Sequence, residues 1–308
     1  MKNVKLVIIV LILAFLAIGC KEKGKEIIDR TGRAVVIKGE INRIVSTAPS
    51  NTEIIADLGQ AHKLIAIDKH SVNVGGLPDG LPLLDFFYPD AEVIINLEPD
   101  IIIASGHNPT GTGEDPFRLL REMGIPVVYI SMSKSIEEIY KDIAFLAVIL
   151  QAEKEGEKLI NSMKLQINEI AQSAQRRASQ IGTKKTVYFE ISTAPDMMSF
   201  GKDSFIDDMI SVISARNIFG DEDWLVMPSA EAVITRNPDV ILTNVNYIDD
   251  PIGEIKSRPG FNHINAVIND RIYQIDNDSS SRPSSRIILA LRQMSEAIYP
   301  EEVTELYE

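Results

Sequence analysis

From Ile136 to about Ser179 the chain carries almost only helix-forming residues, in a sequence that elsewhere alternates short β-branched runs with amphipathic stretches. Apolar residues recur at Ile139, Ile143, Leu146, Leu150, Leu159, Met163 and Ile167, the spacing of one helical face. A continuous helix of about 40 residues is roughly 60 Å long. No sustained heptad is present, so a coiled coil is not indicated. The stretch reads as a long bridging helix, kinked near Gly156 and ended by Gly182.

What flanks it sets the fold class. Arg43–Thr47, Lys63–Ile67, Asp100–Ser105 and Pro126–Ser131 before it, and Thr186–Ser192, Asp239–Asn244 and Arg271–Asp276 after it, read as strands. Ser50–Leu58, Ser204–Ser214 and Pro283–Ile298 read as helices, the first opened by a capping box, Ser50-Asn51-Thr52-Glu53. Continuous apolar strands separated by helices imply parallel sheets covered on both faces. The expectation is an α/β chain: two three-layer, parallel-sheet lobes joined by a single long bridging helix. The boundaries are residues 28–133 for the first lobe, 134–181 for the helix and 182–308 for the second lobe.

Residues 1–19 stand apart. Lys2 and Lys5 precede the apolar run Leu6–Ile18, which is shorter than the ~20 residues of a membrane span. A basic start, a short apolar segment and a small residue before the break are the marks of a secretory signal. Cys20, the chain's single cysteine, follows directly, and Ala17-Ile18-Gly19-Cys20 resembles a bacterial lipobox with Ala17 where leucine is usual. Lipidation at Cys20, with residues 20–27 as a charged tether, would hold the exported protein on the outer face of the cytoplasmic membrane. One acyl chain anchors only marginally, so a diacylglyceryl cysteine is the form required. Loss of Lys2 and Lys5 with the signal takes the formal charge from −13 to −15. That balance argues against nucleic-acid binding and suits a body that meets a basic partner.

The halves share a pattern. Glu92-Val-Ile-Ile-Asn-Leu-Glu-Pro99-Asp100 in one matches Glu231-Ala-Val-Ile-Thr-Arg-Asn-Pro238-Asp239 in the other, each leading into an apolar strand. Asp90 and Ser229 sit two places before each Glu, as capping residues would. A carboxylate in a first helical turn is favoured locally by the helix dipole. That accounts for either glutamate but not for the symmetry of the pair, which suits a partner contacted by both lobes at once.

Collinear pieces from about Ile28 to Pro300 carry a resemblance to a known family. They are Asp29-Arg30-Thr31-Gly32-Arg33, Arg43-Ile44-Val45-Ser46, Ala48-Pro49-Ser50-Asn51-Thr52-Glu53, Leu97-Glu98-Pro99-Asp100, Gly124-Ile125-Pro126-Val127, Phe200-Gly201-Lys202-Asp203-Ser204-Phe205, Asn237-Pro238-Asp239, Arg258-Pro259-Gly260-Phe261 and Arg282-Pro283. In order and spacing the chain resembles the bacterial solute-binding proteins for iron-siderophore, haem and cobalamin uptake. It departs at Gln151, where the family often has Gly ending the first part of the bridging helix. The resemblance implies two lobes with a ligand cleft between them that rock slightly around a rigid helical backbone, and a partner, the permease of an ATP-driven (ABC) importer. It implies docking of each lobe through one glutamate onto permease arginines, and Glu92 and Glu231 are the positions that match.

Ligands of open parallel sheets bind beyond the carboxyl ends of the strands, which nominates residues 47–50, 68–71, 105–110, 193–199 and 277–283. Ser50, His107, Met198 and Arg282 come from these segments, and Phe86, Phe87, Tyr88 and Trp224 from aromatic loops before the paired glutamates. Aromatic faces across a cleft suit a flat macrocycle or aromatic chelator. Trp224 either meets that ligand or folds back onto its own lobe; Arg282 either reaches the ligand or pairs with Asp276 or Asp278. Ferric siderophores often ask for several cleft arginines, so the scarcity of candidates tilts the expectation towards a cobalamin-like ligand. Related haem carriers place His or Tyr on iron, which keeps His107 and Tyr88 as haem candidates. The four histidines show no HxxxH spacing, so no bare metal site is expected, and no cofactor is called for. There is no GxSxG elbow, P-loop or metal-cysteine cluster to support an enzyme such as a chelatase on a similar scaffold. A surface adhesin is the remaining rival, and a monomer is expected.

Overall fold

The computed structural model describes residues 24–106 and 115–300. The first lobe opens with an antiparallel hairpin, β1 (Lys25–Ile28) and β2 (Ala34–Ile37). Its turn is built on Asp29, whose Oδ1 accepts from the backbone of Thr31 and Arg33 while Oδ2 accepts from Tyr129 N, fastening the hairpin to the lobe. Five parallel strands follow: β3 (Ile44–Ser46), β4 (Leu64–Asp68), β5 (Leu83–Leu84), β6 (Ile101–Ser105) and β7 (Val127–Ile130), in spatial order β5-β4-β3-β6-β7. β3, β6 and β7 are buried throughout, the signature of a sheet covered on both faces. Helices α1 (Pro49–Asp57), α2 (Ala91–Asn96) and α3 (Arg118–Glu122) pack around it.

The helical stretch resolves into two helices, α4 (Ile136–Ile149) and α5 (Glu153–Ile181). The break falls at Gln151, whose φ of 55° lies in the left-handed region that ends helices, rather than at Gly156. Gly156 serves packing instead: a Cβ there would stand 2.6 Å from Ala147 Cβ, so its absence lets α5 close onto α4. Ser135 caps α4 and Asp208 of the second lobe accepts from Ile136 N, while α4 also touches α1 of the first lobe. The 29 residues of α5, about 44 Å at 1.5 Å per residue, run from Leu58 of the first lobe to the helix that closes the chain.

The second lobe repeats the plan with β8 (Thr186–Glu190), β9 (Ser199–Phe200), β10 (Arg216–Asn217), β11 (Leu225–Val226), β12 (Val240–Thr243) and β13 (Ile272–Gln274). Four of these form a parallel sheet in the order β10-β8-β12-β13, and β9 and β11 make a separate antiparallel pair. Its helices are α6 (Phe205–Val212), α7 (Ala230–Arg236), α8 (Pro251–Ser257), α9 (Asn265–Ile268), α10 (Asn277–Ser281) and α11 (Ile287–Ile298). One apolar core runs unbroken from β3 and α1 through α4 and α5 into β8 and α11, so the lobes share a packed interior.

The Pro-Asp of the internal repeat has the same task in each lobe. Asp100 Oδ2 accepts from Asn42 N and Arg43 N at the entrance of β3. Asp239 Oδ2 accepts from the backbone and hydroxyl of Thr186 at the entrance of β8. Each aspartate thereby registers the start of one central strand against its neighbour.

Candidate functional site

β3 has β4 on one side and β6 on the other, and β8 has β10 and β12, so each sheet reverses its winding at its middle. Loops leaving such a point diverge and open a crevice at the carboxyl ends. The two crevices face each other across one cavity of about 620 Å³. Ala48–Asn51, Ser105 and Ile130–Ser133 line it from the first lobe; Ile191, Asn244, Asn277 and Ser281–Pro283 line it from the second.

Aromatic side chains close it on both sides. Phe86 and Phe87 stand edge to face at 4.8 Å on the first lobe. Asp85 presents them: its Oδ1 accepts from Phe87 N and Tyr88 N at 2.9 Å each, and Lys69 donates to its Oδ2 at 2.7 Å. The Lys69 ammonium and these two backbone donors hold the Asp85 carboxyl down at about 2. Opposite, Trp224 packs edge to face on Phe200 at 5.6 Å, and both line the cavity. Trp224 thus folds back onto Phe200 of its own lobe and also lines the cavity. Its φ of 47° is unusual for a bulky residue, and the backbone bonds from Gly201 N to Trp224 O and from Trp224 N to Lys202 O maintain it.

Among the described residues, Arg282 is the one charged residue in this lining. It donates to Asp278 at 2.6 Å, to His70 O at 2.9 Å and, across the cleft, to Glu53 Oε1 at 2.8 Å. Ser284 completes Glu53 through Oε2 at 2.5 Å. Burial raises the Glu53 carboxyl, opposed by the hydrogen bonds from Ser284 and Arg282. The capping box is therefore not formed. The helix starts at Pro49, a residue pre-shaped for a first turn, with Ala48 as an N-cap that offers no side chain, and Glu53 is committed to the other lobe.

Of the residues the sequence nominated, Ser50, Phe86, Phe87, Trp224 and Arg282 meet at the cavity. Tyr88 is not brought there: the Asp85 turn leaves its ring 65% exposed. Nor is Met198, whose backbone is paired with Ile191 and Ser192 while Phe200 beyond it supplies the wall. His107 and Cys20 lie outside the described residues. Asn51, Phe205, Ser131–Ser133 and Asn244 were missed. The last two were within reach of the strand-end rule, since they follow the strands at Pro126–Ser131 and Asp239–Asn244. Among the described residues no group of three His, Cys, Asp or Glu is placed to hold a metal ion, and no helix is long and apolar enough to cross a membrane.

Glu92 and Glu231 are both exposed, each in the first turn of a helix. Asp90 accepts from Glu92 N and Val93 N, and Ser229 accepts from Ala232 N, so both caps form. Glu231's own backbone N–H and the Ser229 hydroxyl hold its carboxyl below the usual range.

A family model described as Periplasmic binding protein matches residues 44–279, which hold both parallel sheets and most of the cavity lining. The chain belongs to the periplasmic binding protein family. An uncharacterized ABC transporter substrate-binding lipoprotein of Bacillus subtilis is 31% identical to this binding protein over 277 residues, 90% of this chain and 86% of that one. A vitamin B12-binding protein of Vibrio campbellii is 27% identical over 262 residues, 84% of this chain and 90% of that one. Among solved structures, a possible iron-binding (periplasmic solute-binding) protein from Staphylococcus epidermidis superposes with a TM-score of 0.75 at 31% identity, covering 85% of this chain and 100% of that one. The family is one of binding proteins, and this chain is a binding protein, not an enzyme.

Proposed function

We propose that this binding protein is the lipid-anchored capture component of an ABC importer, and that its cargo is a cobalamin-like macrocycle. The observation that carries the reading is the cavity itself. It has aromatic walls on opposite lobes, Phe86 and Phe87 against Trp224 and Phe200, and the one charged lining residue among the described residues, Arg282, is already balanced by Glu53 and Asp278. A flat, large and nearly neutral ligand matches such a lining. A multiply anionic ferric siderophore would leave charge unmet there. The likeness to a vitamin B12-binding protein over most of both chains supports the same choice. Haem shares the flat shape and is the rival cargo.

Anchoring is assigned to Cys20, in keeping with the lipoprotein relative, and docking to Glu92 and Glu231. Two exposed carboxylates in equivalent turns of the two lobes report the distance between lobes, because both ion pairs form only at the right separation. One copy of the chain suffices for this arrangement.

The test is a titration of the exported chain followed by Trp224 fluorescence, with cobalamin, cobinamide, haem, and ferric hydroxamate and catecholate complexes, and absorbance controls for inner-filter effects. Saturable micromolar-or-tighter binding confined to the corrinoids supports the reading. Binding confined to haem or to a siderophore replaces the cargo, and no binding by the folded protein overturns it.

A further inference from the structure

The first turn of α1 enters the cavity with Ala48, Pro49, Ser50 and Asn51 all in its lining. No side chain caps this nine-residue helix. Its positive end therefore faces the cavity. At that end Asn51 is only 1% exposed, yet its amide Nδ2 has no hydrogen-bond partner. A buried donor left unpaired opposes folding, and interiors rarely keep one. Gln60 Oε1 is the other such atom among the described residues, and Gln60 does not line the cavity. Among the described residues, Asn51 is thus the cavity-lining residue with a buried side-chain donor left unpaired, beside a helix end that favours negative charge.

We infer that Asn51 and the open end of α1 form a subsite for one anionic oxygen of the ligand, a phosphodiester or carboxylate oxygen. The inference deepens the proposed function and rests on it. Asn51 Nδ2 and the helix end supply donors without a second buried cation, so the subsite suits one negative charge, while Arg282 in the same lining is already paired with Glu53 and Asp278. The carboxylate nearest in sequence, Glu53, is turned to Arg282 and Ser284 and does not oppose the charge. Two sources carry this chemistry: the nucleotide-tail phosphodiester of cobalamin, absent from cobinamide, and the edge carboxylates of haem, absent from its dimethyl ester.

The experiment compares these four ligands on the wild-type chain, Asn51→Leu and Asn51→Asp by fluorescence and calorimetric titration. Asn51→Leu keeps the branched four-heavy-atom shape and removes the donor; Asn51→Asp puts an acceptor in its place. The expected result is a roughly 10- to 100-fold loss of affinity for the anionic member of the bound pair in both variants. Its neutral counterpart should change by less than about twofold, since it makes no charge-assisted hydrogen bond there. Asn51→Leu should also unfold at the wild-type temperature or above it, because the unpaired donor is gone, whereas a structural asparagine would lower it. Equal binding of the anionic ligand by wild type and Asn51→Leu overturns the subsite alone. So does an equal loss for both members of the pair, or a lowered unfolding temperature. Wild-type protein that binds none of the four overturns the cargo reading and the subsite together.

Discussion

In the second lobe, Arg258 keeps its buried charge within the lobe. It donates to Glu190 at 2.6 and 2.9 Å and also holds Glu254. A buried carboxylate of the first lobe, Glu53, reaches instead across the cleft to Arg282, Ser284 and, at 3.4 Å, Arg286. Asp57, one turn further along α1, adds a bond from Ser285. Similar groups at similar burial therefore do different work. The Glu190 cluster stabilises one lobe and is indifferent to the other. The Glu53 cluster sets how the lobes face each other, and through Arg282 it forms part of the cavity wall.

The largest effect tests what the lobes share at their tips. Glu92→Ala with Glu231→Ala should abolish ligand uptake in cells while leaving Trp224-detected binding unchanged, with each single variant intermediate. Uptake unaffected by the double variant would remove the docking role and leave the glutamates as first-turn residues only.

Second comes Arg258→Met, which strands Glu190 as an uncompensated buried charge and should cost about 3–5 kcal/mol in denaturant unfolding. Glu53→Gln retains a polar partner for Arg282 and Ser284, so a smaller loss, about 2 kcal/mol, is expected. Its distinguishing signature is a change in lobe separation by small-angle X-ray scattering, which Arg258→Met should not produce. Identical scattering in the two variants would erase the contrast between the clusters.

Glu53→Gln also has a pH signature. Burial raises the Glu53 carboxyl above its ordinary value of 4.5, so the folded state binds that proton more tightly than the unfolded chain. This contribution to stability is present at low pH and is lost as pH rises from about 4.5 through the raised folded value. Unfolding midpoints of Glu53→Gln should depend less on pH across that window than those of wild type; parallel profiles would contradict the assignment.

The smallest effect concerns the aromatic walls. Asp85→Ala removes the acceptor that orders Phe86 and Phe87, and should weaken binding by a few-fold with little change in stability, as expected for an exposed loop. Trp224 has no carboxylate bracing it and is held by main-chain bonds, so the wall it forms should survive Asp85→Ala unchanged.

Much of the architecture was legible because strands and helices carry local signals. Runs such as Ile101-Ile102-Ile103 and Val240-Ile241-Leu242 declare strands buried on both faces wherever they end up. Asp90 and Ser229 cap α2 and α7 because a cap needs only the next three residues. The short strands β9, β10 and β11 and the helix α10 were not visible, since two to five residues hold too little periodicity to separate them from loops.

The sequence by itself determined the lobes' common plan, the helical link between them and the strand ends from which a site can be built, all properties set within a dozen residues along the chain. Only the tertiary structure decided where that link breaks, at Gln151, and that Tyr88 and Met198 turn away while Asn51 turns in. It also decided the role of Glu53, which satisfies the pattern of a local cap yet meets a guanidinium 229 residues away. Local grammar offers such a side chain several partners of similar strength. Packing chooses among them, because a carboxylate carried into the interior must be met by whatever cation the fold brings within reach.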